Sequence, residues 1–224
     1  MSDRAEEIDG KPMSEPSIRR TQAARRAESE RRILEAAILT IGKKGINQTS
    51  LADVGEAAGY SRGLPAHLFG NKDNLIFRAA QSLMLSPPRN SLFAVTTDGG
   101  IAEMVEMLEQ WFLVARDQPQ VTQGILVLWS EGLIGSLALK SPELHGLLQT
   151  IDQAGRHRLR EFLQNADARG ELRPAVDIET QPVLIIGAVL GILWQWLISP
   201  QAFDLLKVAQ SYLKELSRGL RNAA

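Results

Sequence analysis

Residues 49–72 read Thr-Ser-Leu-Ala-Asp-Val-Gly-Glu-Ala-Ala-Gly-Tyr-Ser-Arg-Gly-Leu-Pro-Ala-His-Leu-Phe-Gly-Asn-Lys. This stretch spells two short helices, each with its own start and stop residues, joined by a turn at Gly59. Ser50 opens the first, and Asp53, three residues on, completes a capping box in which each side chain serves the other's backbone N–H. Leu51, Val54 and Ala58 share the inward face. Ser61 is expected to cap the second helix, Leu64 and Leu68 to line its inner side, and Gly70 to stop it. Asn71 then caps the next helix. A unit of this shape is a helix-turn-helix, which lays its second helix in the DNA major groove.

The charge distribution points to the same end of the chain. The 224 residues carry a net charge of −1, yet residues 17–32 hold six arginines against Glu28 and Glu30, a local balance of +4. A basic end on a neutral chain fits a polyanion bound there, or equally a solvated arginine tail. There is no cysteine, which excludes disulfides and thiolate metal sites and fits a reducing compartment; a cytoplasmic location is expected. Asp3, Glu6, Glu7 and Asp9 exclude a signal peptide at the start of this sequence. The apolar run from Pro182 to Ile198 sits at the lower edge of bilayer-spanning length and lacks basic flanks, so a buried or dimer-forming helix is expected rather than a membrane span.

The periodicity is helical from about residue 25 to the end, giving an all-α fold. Residues 1–24 read as a polar tail. A first helix from near Arg26 has Ile33, Leu34, Ala37, Ile38 and Ile41 on one face and Gly45 as its stop. The helix after Asn71 buries Leu75, Ile76, Ala79, Ala80, Leu83 and Met84, and Pro87-Pro88 closes it. Longer, more apolar helices follow at about 101–118, 123–139, 143–168 and 182–198, with a last one from Ala202 to Leu216. The expected domains are therefore 25–87, with the helix-turn-helix at about 51–70, and 88–224.

Residues 28–84 resemble the DNA-binding domain of TetR-type transcriptional regulators. The resemblance rests on Ile33-Leu34-Glu35-Ala36-Ala37, Gly45, Thr49-Ser50, Ala58-Gly59-Tyr60-Ser61-Arg62-Gly63, Phe69, and Lys72 with Leu75, in that order and spacing. Two positions depart from the family pattern: Ala66 stands where an aromatic ring is usual, and Leu68 where a histidine or polar residue is common. The resemblance implies an N-terminal three-helix DNA-binding domain and a C-terminal helical ligand-binding and dimerisation domain. It also implies a homodimer on a palindromic operator and a small-molecule effector. Ligand binding would shift helix 4, which runs from Lys72 at the DNA to Met84 at the C-terminal domain, and so change the spacing of the reading helices. The function expected is a repressor released by an apolar or aromatic ligand; the alternative is a DNA-binding architectural protein with no ligand.

The groove-side candidates are Arg62, Gly63, Pro65, Ala66 and His67, with Ser61 as both cap and contact. Arg62 can pair bidentately with guanine or clamp a phosphate, and Pro65 and Ala66 can meet a thymine methyl. Pro65 would occupy the fourth position of helix 3. Thr49 and Ser50 at the start of helix 2, Lys72, and Arg31 among the N-terminal arginines are the phosphate candidates. Gly59-x-Ser61-x-Gly63 also fits the serine-hydrolase elbow, but that motif needs a strand-to-helix turn and the preceding residues are helical. No catalytic residue, cofactor or metal is expected: His67, His145 and His157 have no ligand spacing. The effector candidates are Met104, Met107, Leu108, Trp111, Phe112, Leu126, Trp129, Glu131 and Leu133, residue types equally at home in a plain core. Glu131 would meet a cationic ligand or, more simply, a neighbouring arginine. The dimer candidates are Leu148, Ile151 and Leu159 on one helix and Leu184, Gly187, Ala188, Gly191 and Trp194 on the next.

Overall fold

A computed structural model describes residues 22–85, 98–134 and 142–222, the side chains of 84–85 and 131–134 excepted. Among the described residues the chain forms nine helices: α1 (Gln22–Gln48), α2 (Leu51–Ala57), α3 (Leu64–Phe69), α4 (Lys72–Leu85), α5 (Ile101–Asp117), α6 (Pro119–Ile134), α7 (Pro142–Ala168), α8 (Gln181–Ile198) and α9 (Leu205–Leu220). The sole extended pairing among them is an isolated bridge between Leu172 and Arg221.

The helix ends follow local chemistry. Gly45 interrupts α1 with φ 75° and ψ 167°, a backbone state costly for any residue with a Cβ. The regular helix stops there, and Ile46–Gln48 form a separate turn. The capping box at Ser50 and Asp53 is present in both directions, each bond 3.1 Å. Asn71 caps α4 by accepting from the Asn74 N–H at 2.8 Å. Pro119 opens α6 instead of merely closing α5, because a first helical position needs no N–H. Asp204 caps α9 through the Leu206 and Lys207 N–H groups, so Ala202 lies before that helix. At the other end α1 begins at Gln22, earlier than the Arg26 expected, supported by ion pairs one turn apart. The boundary expected at Pro87-Pro88 lies outside the described residues.

Three buried clusters hold the helices together. Ile33, Leu34, Ala37, Ile38, Val54, Phe69 and Leu75 join α1 to α4 around the helix-turn-helix. Met104, Leu108, Phe112, Leu159, Phe162, Val189, Leu213 and their neighbours join α5, α7, α8 and α9. The third cluster is mixed: Ile41 and Ile46 from the end of α1, Ile76 and Ala80 from α4, Leu128 from α6, and Leu144 and Leu148 from α7. The N-terminal helices therefore share a core with the C-terminal ones, and α1 enters both.

Candidate nucleic-acid interface

The short α3 is held by its neighbour α2 through a close approach. Gly55 is buried in α2, and a Cβ placed on it would lie 2.7 Å from the Ser61 carbonyl oxygen and 3.1 Å from Pro65 Cδ. Pro65 and Phe69, four apart, form the buried stripe of α3, while Leu64 and Leu68 are half-buried. Leu64 and Leu68 pack on the same core from its edge, as expected, and the inward face widens to take in Pro65 and Phe69. Pro65 packs against α2 and is not a groove residue; it occupies the second position of α3, where its missing N–H costs no intrahelical bond. Gly63 is the N-cap and offers no side chain, so Ser61 does not cap this helix either. Ser61 instead accepts the Leu64 N–H at 3.1 Å through its backbone carbonyl, in a turn ahead of α3.

What remains exposed is a compact polar face: Ser61, Arg62, Gly63, Ala66 and His67. Arg62 is 70% exposed and rests on Glu56 at 3.3 Å, a solvated pair that a phosphate or guanine can replace at small cost. Lys72 donates from Nζ to the Asn47 carbonyl at 3.1 Å, tying the start of α4 to the end of α1 beside this face. Thr49 is corrected as a phosphate contact. It is 4% exposed, and its hydroxyl donates to the Gly45 carbonyl at 2.8 Å, closing the turn after α1. Ser50 is exposed, but its hydroxyl already accepts the Asp53 N–H.

Electrostatics around α2 come from a residue that sequence reasoning missed. Lys44 pairs with Asp53 at 3.0 Å. That hydrogen bond, together with those from Ser50, pulls the Asp53 carboxyl down to about 2. The i+3 and i+4 spacing on one helix is visible in sequence, but this pair spans the Gly45 turn, where no such periodicity operates. On α1, Arg31 is exposed and held between Glu28 at 2.8 Å and Glu35 at 2.6 Å, with Arg32 also on Glu28 at 2.9 Å. The bond from Arg31 leads the causes that lower the Glu28 carboxyl, and Glu28 and Glu35 raise the Arg31 guanidinium. Of the six arginines counted, Arg26, Arg31 and Arg32 thus carry their own counterions.

The Gly-x-Ser-x-Gly segment runs from the end of α2 to the start of α3, with a helix on each side and no strand before it. No group of three or more potential metal-binding side chains occurs among the described residues.

Residues 33–79, α1 to most of α4, match the sequence family described as bacterial regulatory proteins, tetR family. Residues 143–221 match the C-terminal region of MAATS-type transcriptional repressors, and the two matches together span more than half of the chain. The chain belongs to the TetR family. It is a DNA-binding transcriptional regulator and not an enzyme. Among its TetR relatives, the probable regulator ArpR of Pseudomonas putida is 28% identical over 84% of this chain and 89% of its own. The fold matches that of SmeT, the repressor of the Stenotrophomonas maltophilia multidrug efflux pump SmeDEF, at TM-score 0.67 with 20% identity, over 87% of this chain and 91% of that one. A SmeT–triclosan complex matches equally well, at TM-score 0.67 and 19% identity over 88% and 93% of the two chains.

The TetR C-terminal half separates the remaining candidates. Met104, Met107, Leu108 and Phe112 are fully buried in the core of α5, α7, α8 and α9, with the half-buried Trp111 against them. Trp129 packs on the other cluster, with α1, α4 and α7, and Leu126 is buried on α6. The structure therefore divides these effector candidates between separate buried clusters; Glu131 and Leu133 lie outside the described side chains. A surface cleft of about 940 Å³ lies elsewhere, between α5 and α9, and Val105, Glu109, Leu213 and Lys214 are among its walls. Of the dimer candidates, Leu148 and Leu159 are corrected: both are buried within this chain's own core, and Ile151 is half-buried beside Leu148. Periodicity marks the α7 stripe as apolar but does not say whether this chain or a partner covers it.

α8 differs. It is the helix, among those described, that is long and apolar enough to cross a membrane by length and composition, and it lies inside the C-terminal family match. Ile185, Val189, Leu193 and Trp196 are buried inward, while Val183 (52%), Leu184 (56%), Trp194 (49%) and Ile198 (69%) stand exposed. Gly187 and Gly191 lie between Leu184 and Trp194, with open space beside each.

Proposed function

We propose that the protein is a cytoplasmic repressor that binds a palindromic operator as a homodimer and leaves it when a small apolar or aromatic molecule occupies the C-terminal half. Residues 25–87 act as the DNA-binding domain and 88–224 as the ligand-binding and dimerisation domain. The observation that carries this reading is the exposed Ser61–His67 face on a helix too short to read a site alone. Arg62 supplies base or phosphate recognition, Ala66 an apolar touch, His67 a donor, and Lys72 a backbone contact. Arg31 reaches a neighbouring phosphate once Glu28 and Glu35 release it. Two such faces about 34–36 Å apart read successive major grooves.

The exposed apolar face of α8 supports the homodimer. Leu184, Gly187, Ala188, Gly191 and Trp194 follow helical spacing, and a two-fold partner presenting the same face would bury them. The glycines permit close helix approach and Trp194 supplies large buried area.

The effector is proposed to enter beside α5, at Met107, Trp111 and Phe112, with the methionines repacking around it, or beside α6, at Leu126 and Trp129. The triclosan bound by SmeT is an example of this chemical class. By likeness to the efflux-pump repressors, the regulated genes are proposed to encode export of the effector itself. The complete burial of Met104, Leu108 and Phe112 favours a second reading, in which the helical domain takes no ligand.

The test begins with genomic fragments captured by the pure protein. A recovered palindrome, bound tightly by the wild type and weakly by an Arg62→Ala, Lys72→Ala double variant, is expected; equal binding by the two would sink the interface. A panel of apolar aromatic compounds, triclosan included, should raise the melting temperature and release the duplex. No change with any of them would leave the second reading.

A further inference from the structure

α1 and α6 form the most extensive helix pair among the described residues, and two glycines face each other within it. A Cβ on Gly42 of α1 would lie 2.4 Å from the Gln120 carbonyl oxygen and 3.0 Å from the Gly124 nitrogen. A Cβ on Gly124 of α6 would lie 2.3 Å from the Ile38 carbonyl oxygen and 3.0 Å from Ile38 Cγ2. Both obstacles are backbone atoms, which no rotamer change relieves. The helices touch main chain to main chain, so any side chain larger than hydrogen must push them apart. Restoring ordinary contact distances requires a separation of about 1 Å.

The contact joins the two functional halves. On one side Ile38 belongs to the cluster that holds Val54 of α2 and Phe69 of α3. On the other, Val121 of α6 packs on that same cluster, while Leu128, seven residues on, packs with Ile41, Ile46 and α7. A movement of α6 is therefore passed to α1 directly, and α1 carries α3 with it.

We propose that the Gly42–Gly124 crossing is the positioning contact that sets the separation of the two reading helices in the dimer. Transmission from the C-terminal half then runs from α6 to α1, and not through α4 alone. Gly42 and Gly124 touch neither DNA nor effector; they act through the placement of α3. The inference rests on the proposed palindromic operator.

The test uses full-length protein and a duplex site selected by the wild type from a random pool. Half-sites and full palindromes are compared, with the spacer between half-sites varied one base pair at a time. Gly124→Ala and Gly42→Ala, one on each side of the crossing, should give the same result. Half-site affinity stays within about twofold, full-site affinity falls at least tenfold, and the ranking of spacers changes. Gly146→Ala, where a Cβ meets nothing within 4 Å, should match the wild type. Variants that keep the wild-type spacer ranking and affinity overturn the inference. If the variants do not fold, hydrogen exchange on the wild type decides. Binding the selected duplex should slow exchange at 120–128 of α6 together with 38–42 of α1; protection confined to α1–α3 overturns it. A wild type that selects no site would instead refute the operator reading itself.

Discussion

α3 and α8 each turn one face outward, and they differ in almost every other respect. α3 is six residues long, and its exposed face is Ala66, His67 and the preceding Ser61–Gly63. α8 is eighteen residues long, and its exposed face is Leu184, Trp194 and Ile198 around two glycines. The short helix cannot hold its own shape and is clamped by Gly55, Pro65 and Phe69. The long one is anchored by Ile185, Val189, Leu193 and Trp196 and leaves Val183, Leu184, Trp194 and Ile198 exposed. A polar face that is rigidly held suits a ligand read by hydrogen-bond pattern. An apolar face of this size on a folded chain suits another apolar face.

The largest expected effect breaks the comparison at α8. Leu184→Asp with Trp194→Asp places charge on the proposed two-fold contact and should yield a folded monomer by sedimentation. Affinity for the selected palindrome should fall by more than about a hundredfold, because each chain then binds alone. A dimer of unchanged stability would remove α8 from the interface. Next, Gly55→Ala should cost about 1–3 kcal/mol of stability, since the new methyl meets the Ser61 carbonyl backbone rather than a movable side chain. Urea unfolding measures this, and an unaltered midpoint would show that α2 and α3 separate easily. Arg62→Ala should cost about 1–3 kcal/mol of DNA binding with no change in melting temperature, which marks a contact residue and not a structural one.

The smallest effect concerns pH. Asp53, pulled to about 2 by Lys44 and Ser50, is more acidic folded than unfolded. Its contribution to stability is complete above its ordinary value near 4 and is lost as pH falls towards 2. The melting-temperature gap between wild type and Asp53→Asn should therefore be constant from pH 7 to about pH 5 and close between 4 and 2. A gap that persists at pH 2 would mean that the carboxylate is not what stabilises this cap.

Much of this architecture was legible because it is local. The Ser50–Asp53 box, the stop at Gly45 and the Asn71 cap are decided by residues within four positions of each other, and each formed as read. The family motifs likewise identified α1–α4. What was not legible depends on tertiary neighbours. Leu64, Leu68, Pro65 and Phe69 are all apolar, and only the position of α2 decides that Pro65 goes inward and Leu64 stays at the edge. Leu159 and Leu184 look alike in a helical pattern, yet one is core and the other surface. Gly55, Gly42 and Gly124 each sit inside a helix, where glycine is about 1 kcal/mol worse than alanine. Gly146, Gly187 and Gly191 carry the same penalty beside open space, so only the packed structure shows at which glycines a backbone comes close.

The glutamates threaded among the α1 arginines have a consequence for how binding would respond to ionic strength. A cation that meets a phosphate ordinarily frees a bound counterion, and the number freed sets how steeply affinity falls with added salt. Arg26, Arg31 and Arg32 are already neutralised by Glu30, Glu28 and Glu35 on the same helix. When one of them turns to DNA, what it gives up is a tethered carboxylate and not a mobile ion. Arg26, Arg31 and Arg32 would then contribute reach without contributing slope, Arg62 on Glu56 likewise, and the salt dependence of operator binding would count cations such as Lys72, which rests on a backbone carbonyl.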